Sequence, residues 1–248
     1  MTVTDDYLLS QARQAGAEAT VLDLGCGDGR FVEVLVDAGI KAIGVDVPGA
    51  KLSVELRLAR RPDLRQHIVF LDDDEKIPLP DNSVDIILSN NVFEHIPVLD
   101  STVREMARIL KPGGAVYTVF PLKSSIIEAH ARLPFFHRIR SRSLRLRYAN
   151  FMKNIGLYWC PAPPKDIENY VALHCFYRSP KEINSIFQKS FTSVESDAEA
   201  YIKVKAKSLR TARGLKKMLG AVLLSGGAAM FAPIIHNYHA AAYRLSNQ

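Results

Sequence analysis

The 248-residue sequence is poor in cysteine and has no leader-like segment at its start. Its three cysteines, Cys26, Cys160 and Cys175, share no close metal-ligand spacing, and an odd number argues against a disulfide framework. We therefore predict no metal site and a reducing, cytoplasmic environment. Residues 1–6 lack a basic stretch followed by an apolar one, so no secretory signal is predicted. A hydrophobic content of 48% excludes a disordered chain.

Acidic residues are missing from two long segments, 129–165 and 200–248, and each segment carries eight Lys or Arg residues. The rest of the chain is net negative, although the whole has a net charge of +6. This asymmetry predicts an anionic partner for the two basic segments. Aromatic residues lie among the arginines of 129–165, so a phosphorylated or carboxylated small molecule and a nucleic acid both fit the pattern, as does a solvated basic helix.

Short apolar runs alternate with segments of helical periodicity along the first half of the chain. An amphipathic helix over 5–17 precedes the alternation. The predicted strands are 20–24, 41–46, 67–71, 84–89 and 115–120, with helices over 31–38, 50–60 and 99–110. Such alternation predicts βαβ units and a parallel sheet that helices cover on both faces. A helix over 180–188, a strand over 191–206 and a weaker strand over 239–245 are predicted to follow.

The alternation is interrupted after residue 122. We interpret 123–178 as a helix-rich lid inserted over the carboxyl edge of the sheet, and 179–248 as the carboxyl-terminal helix and strand elements of one domain spanning 1–248. Residues 218–235 are uncharged, at the threshold length for a membrane span. Because the last strand must return to the sheet, a crossing conflicts with the fold. Burial, a dimer interface, or shallow contact with an anionic membrane surface remain open.

A glycine-rich turn joins the first strand to the next helix in the run Val21-Leu-Asp-Leu-Gly-Cys-Gly-Asp-Gly29. Glycines in such a turn let a ligand approach the backbone at a helix amino terminus. The spacing of Gly25, Gly27 and Gly29 differs from the dinucleotide fingerprint, and no P-loop lysine follows. The run resembles motif I of the class I S-adenosylmethionine-dependent methyltransferases. Asp23 suits a cofactor with a cationic amino group better than one with phosphates.

Further matches to this family follow in order along residues 18–120, the predicted cofactor-binding core. Asp46, followed by Val47, ends the second strand where a carboxylate can bind both ribose hydroxyls. The resemblance implies that Asp73 recognises the adenine amino group, with Asp74 beside it, and that Asn90 packs against the cofactor. The turn Lys-Pro-Gly-Gly before the fifth strand also resembles the family pattern.

The resemblance implies a Rossmann-like α/β fold with a seven-stranded, mostly parallel sheet whose last strand is antiparallel. It also implies methyl transfer from S-adenosylmethionine by in-line displacement. We expect a small or lipid-linked acceptor of anionic or glycan type, reached in the cytoplasm or at the inner face of the membrane. His95 is the first candidate for a general base, ahead of His174 and Tyr177, although a Glu-His pair can also simply order this loop. An RNA methyltransferase and a non-catalytic relative are the alternatives. The sequence leaves the oligomeric state open.

Overall fold

The computed structural model describes residues 2–72, 76–210, 223, 224, 228, 232 and 241–247. Their strands are β1 Thr20–Leu24, β2 Lys41–Asp46, β3 Ile68–Phe70, β4 Val84–Asn90, β5 Leu110–Phe120, β6 Ser193–Ser196 and β7 Ala241–Ser246. Their helices are α1 Val3–Gln14, α2 Arg30–Asp37, α3 Lys51–Leu58, α4 Leu99–Ile109, α5 Arg142–Asn154, α6 Pro164–His174, α7 Pro180–Phe187 and α8 Ala198–Arg210.

The strands form one seven-stranded sheet in the order β3-β2-β1-β4-β5-β7-β6. The first five strands in this order run parallel, and β7 is antiparallel to both β5 and β6. The predicted fold class is therefore confirmed. The chain order reverses between β1 and β4, and in open α/β sheets ligands bind in the crevice outside the carboxyl ends of the strands at such a point.

Helices cover both faces of the sheet. The first face packs against α4 and α7, and the second against α1, α2 and α8. Because successive side chains of a strand point to opposite faces, β1 contributes to both clusters and is buried along its whole length. Fully buried residues include Leu22, Ile87, Met106 and Phe187 on the first face and Tyr7, Leu35 and Leu88 on the second.

The long strand predicted over 191–206 is wrong in its second half. Only Ser193–Ser196 forms a strand, and α8 begins two residues later. The alternation of apolar residues with Lys203, Lys205 and Lys207 imitates the period of a strand. Burial instead recurs at the spacing of a helix, at Ala198, Tyr201, Ile202 and Ala206.

The segment between β5 and α7 contains α5 and α6, which pack on each other. Its apolar cluster is separate from those on the sheet and includes Leu133, Phe136, Ala149 and Ile167. Most of the uncharged segment 218–235 lies outside the described residues. Of its described members, Leu223 and Ala228 are buried in one cluster with Ile202 and Ala206 of α8. In the described parts of the chain, no helix is long and apolar enough to cross a membrane.

Candidate active site

The glycine-rich turn follows β1 at the crevice, and its backbone needs glycine. Gly25, Gly27 and Gly29 have φ values of +76°, +59° and +81°, in the left-handed region. A Cβ atom on Gly25 would also lie 2.3 Å from the Cγ2 atom of Val92, in the loop after β4. The Gly25 N–H donates to the carbonyl of Val45 in β2 over 2.8 Å. The turn therefore lies close to both neighbouring strands at their carboxyl ends.

Asp46 binds this turn from the end of β2. Its Oδ2 atom accepts a hydrogen bond from the Gly27 N–H at 2.6 Å, and its Oδ1 atom accepts one from the Val47 N–H at 2.7 Å. Burial raises the pKa of the Asp46 carboxyl, and the two backbone hydrogen bonds oppose this effect. The structure thus brings together the glycine-rich turn and Asp46, the residue that is predicted to bind the ribose hydroxyls.

Asp23 lies inside β1 and is almost fully buried. Burial, followed by the nearby carboxylates of Asp46 and Asp5, raises the pKa of its carboxyl to about 7, whereas Arg30 opposes the shift. Arg30 itself forms a bidentate ion pair with the buried Asp5, at 2.9 and 3.2 Å. Asp23 is therefore a buried acid whose ionised form would be stabilised by an added cation.

A cleft of about 220 Å³ opens beside the turn. Of the predicted site residues, Gly25, Asp46, Val47 and His95 line it. Thr102 and Glu105 of α4 also line the cleft, and the sequence analysis did not predict them. Both lie in a helix with a charged outer face, and no sequence motif marks either of them. Other lining residues are apolar and include Leu24, Val45, Leu71, Ile77, Val92 and Ile96.

Asn90 ends β4 and is not among the residues that line the cleft. Its Oδ1 atom is buried and has no hydrogen-bond partner within the described residues. Asp73 and Asp74, predicted to recognise the adenine group, lie outside the described residues.

Arg178, which the sequence analysis overlooked, ties the loop after β4 to the end of the 123–178 segment. Its guanidinium donates to the carbonyl oxygens of Phe93 at 3.0 Å, Ile96 at 2.6 Å and Pro97 at 2.9 Å. Because one guanidinium group binds three of its backbone carbonyls, the loop after β4 is held in place. His95, in the same loop, is thereby positioned between the cleft and α6.

Two histidines and two glutamates form a polar cluster near the end of α6: His95, Glu94, His130 and Glu128. The His95 Nδ1 atom bonds to the carbonyl of His174 at 2.7 Å, and its Nε2 atom lies 3.8 Å from Oε1 of Glu94. Burial lowers the pKa of His95 and raises the pKa of Glu94 to about 7. The second pair, His130 and Glu128, is joined at 2.9 Å.

Glu128 is the centre of the second pair. It accepts hydrogen bonds from the Tyr177 hydroxyl and the Ala131 N–H as well as from His130. Burial would raise the pKa of Glu128, but these hydrogen bonds outweigh it and lower the pKa. Burial likewise disfavours protonated His130, yet contacts with Cys175 and Glu128 raise its pKa to about 10. Tyr177 thus donates a hydrogen bond to a carboxylate, and it is not among the residues that line the cleft.

Comparison with known proteins finds similarity to methyltransferases over part of the chain. Residues 22–118 match the family model described as a methyltransferase domain. An uncharacterized methyltransferase of Mycobacteroides abscessus is 38% identical over 104 residues, which make up 41% of this chain and 40% of that protein. The ubiquinone biosynthesis O-methyltransferase of Nitrosococcus oceani is 28% identical over 187 residues, covering 72% of this chain and 78% of that protein. The chain thus spans less than half the length of the first of these relatives.

The fold is also that of a solved methyltransferase. Phosphoethanolamine N-methyltransferase 2 of Haemonchus contortus, solved in complex with S-adenosyl-L-methionine, superposes with a TM-score of 0.52. The match covers 98% of this chain and 52% of that one at 17% identity. At this identity the likeness concerns the fold alone.

Proposed function

We propose that the chain, whose residues 22–118 match a methyltransferase-domain model, is a class I S-adenosylmethionine-dependent methyltransferase that transfers the methyl group to a small or lipid-linked anionic acceptor. The observation that carries the proposal is the contact of Asp46 with the glycine-rich turn at the edge of the cleft. S-adenosylmethionine is the cofactor.

The residues at the crevice fit this cofactor. Asp46 offers a carboxylate for the ribose hydroxyls, and Val47 continues the cleft wall beside it. The buried Asp23 would gain a cationic partner from the amino group of the cofactor. Asn90, which the resemblance places beside the cofactor, has a buried Oδ1 atom without a hydrogen-bond partner among the described residues. Gly25 leaves the turn without a side chain, where a Cβ atom would collide with Val92.

Catalysis depends on holding the acceptor in line with the reactive methyl group. When bound, the cofactor supplies an electrophilic methyl group on a sulfonium centre. Val92 and Ile96 give the cleft apolar walls, which would limit the access of water to a bound cofactor and acceptor. A base is needed only for a protonated acceptor, and the prediction that His95 serves as this base stays a prediction.

The side of the 123–178 segment that faces solvent supports an anionic, lipid-linked acceptor. Arg140 and Arg147 are exposed and form no ion pair with any described carboxylate. Phe151 and Trp159 are also exposed, by 58% and 68%. Arginine forks bind phosphate and carboxylate groups, and exposed aromatic side chains suit a lipid tail or membrane interface. By contrast, the buried Arg145 is used within the segment, in an ion pair with Glu168 at 2.8 Å.

The first test is a cofactor titration with the variant Asp46→Ala. Loss of hydrogen bonds to a charged group costs about 1.5–3 kcal/mol, so the Kd for S-adenosylmethionine should rise at least about tenfold. Asp37→Ala is the matched control, because Asp37 is an exposed carboxylate paired with Arg61 on the outer surface. Unchanged affinity in Asp46→Ala, measured by calorimetry, would contradict the proposed site.

The second test identifies the acceptor by the S-adenosylhomocysteine that each candidate releases. Phosphorylated metabolites, cell-envelope lipid extracts and RNA are compared, each with vesicles of anionic or neutral lipid. We expect turnover with the anionic small or lipid-linked compounds. Turnover with RNA alone, together with steeply salt-dependent RNA binding, would instead establish an RNA methyltransferase. Cofactor binding without turnover on any acceptor would favour a non-catalytic relative.

A further inference from the structure

Three side chains of the kinds that bind transition metals meet between the loop after β4 and the 123–178 segment. They are His95, His130 and Cys175, and one ligand atom from each lies within 4.8 Å of the other two. The Nδ1 atom of His130 is 3.8 Å from Sγ of Cys175, and the two imidazole centres are 5.1 Å apart. Imidazole and thiolate are the ligands that zinc and similar ions prefer.

Both imidazoles are oriented by a partner on one nitrogen. The His95 Nδ1 atom faces the His174 carbonyl, and because a carbonyl only accepts, this nitrogen carries the hydrogen. The Nε2 atom of His95 therefore keeps a free lone pair. Behind His130 lies the Glu128 carboxylate, 2.9 Å from Nδ1, so Nε2 is the nitrogen of His130 that is left for a metal. Metal-binding histidines usually donate their second nitrogen to a carbonyl or a carboxylate in this way.

A buried carboxylate lies next to the three side chains. The Glu94 side chain has no exposed surface, and neither of its oxygens has a hydrogen-bond partner in the described part of the chain. Its Oε1 atom lies 3.8 Å from Nε2 of His95. A cation bound by the three side chains would lie next to this carboxylate and would stabilise its ionised form.

We propose that His95, His130 and Cys175 bind a divalent ion of the zinc type. Metal–ligand distances of about 2.0–2.3 Å place neighbouring ligands of a tetrahedral site about 3.3–3.6 Å apart. The ligand atoms of the three side chains lie within 4.8 Å of one another, so a tetrahedral site needs a closure of up to about 1.5 Å, within reach of side-chain rotation on loops.

The ion would join the loop after β4 to the 123–178 segment, directly beside the cleft. It would also occupy the lone pair of His95, so His95 would act as a ligand and not as a base. The two roles of His95 are thus mutually exclusive. The proposal concerns metal binding by the chain itself, and its test needs no methyl acceptor.

The test uses the whole chain, stripped of metal with a chelator and then titrated with Zn²⁺ or Co²⁺. We expect one equivalent of zinc to remain bound through gel filtration. The cobalt form should show a thiolate-to-cobalt charge-transfer band. Cys175→Ser should abolish this band and weaken zinc binding at least about tenfold. The matched control is Cys160→Ser, since Cys160 is also partly buried in the 123–178 segment but is not in the cluster. It should change neither property.

Circular dichroism would reveal whether Cys175→Ser misfolds, and a second variant keeps the test valid in that case. Glu128→Gln leaves all three proposed ligands in place but weakens the orientation of His130, so zinc affinity should fall about 10–100-fold. Absence of stoichiometric zinc in the wild-type chain would overturn the proposal. So would a zinc affinity that neither Cys175→Ser nor Glu128→Gln changes, or a charge-transfer band that disappears in Cys160→Ser.

Discussion

Replacing Gly25 with alanine tests the geometry of the glycine-rich turn. At a φ of +76°, an alanine costs about 1–2 kcal/mol for its left-handed backbone. The added Cβ atom would lie 2.3, 2.8 and 3.1 Å from Cγ2, Cγ1 and Cβ of Val92. Rotation of Val92 about χ1 moves only the first two atoms, so the loop after β4 must also shift. Such overpacking adds about 1–3 kcal/mol.

The control for this prediction is Gly39→Ala. Gly39 follows α2 with a φ of +75°, and a Cβ atom there would meet no atom within 4 Å. Gly39→Ala should lower the free energy of unfolding by about 1–2 kcal/mol, the cost of the left-handed backbone alone, whereas Gly25→Ala should lower it by about 2–5 kcal/mol. Urea unfolding of both variants measures the difference. Cofactor affinity should fall in Gly25→Ala and remain unchanged in Gly39→Ala.

A double variant separates the collision from other effects. Adding Val92→Ala to Gly25→Ala removes both Cγ atoms, so the double variant should be about 1–2 kcal/mol more stable than the sum of the single changes predicts. Equal destabilisation by Gly25→Ala and Gly39→Ala would refute the proposed close contact. Additivity of Gly25→Ala and Val92→Ala would refute it as well.

Two further predictions concern titration and turnover. Because the folded state holds the pKa of Asp23 at about 7 against 3.8 ordinarily, the unfolded chain ionises first as pH rises. As the pH rises from 4 to 7, the wild type should lose up to about 4 kcal/mol of unfolding free energy relative to Asp23→Asn. Urea unfolding of both proteins without cofactor measures this. A stability difference between them that does not depend on pH would contradict the raised pKa of Asp23. If the acceptor is a hydroxyl and His95 is the base, His95→Ala should reduce S-adenosylhomocysteine formation about 10²–10⁴-fold with little change in cofactor affinity. Unchanged turnover would remove His95 from the mechanism.

The short-range signals of the sequence predicted most of the sheet. Strands β1, β2 and β4 coincide with apolar runs bounded by turn residues, and the helices between them have clear helical periodicity. The secondary structure of residues 191–206 was predicted only in part. The alternating lysines have the spacing typical of a strand, whereas the buried positions have the spacing of a helix. Packing against α1 and the second sheet face, which a local pattern does not contain, decides in favour of α8.

The sequence by itself determined the glycine-rich turn and the acidic residue that contacts it. Both depend on local requirements: left-handed backbone at Gly25, Gly27 and Gly29, and a carboxylate at the end of the next strand. Only the tertiary structure decided the burial that shifts the pKa of Asp23, because that shift depends on neighbours from other elements. It alone brought together His95, His130 and Cys175, which lie 35 and 45 residues apart in succession. A ligand set assembled from three distant segments has no spacing in the sequence, since the fold, and not the local chain, sets the distances between them.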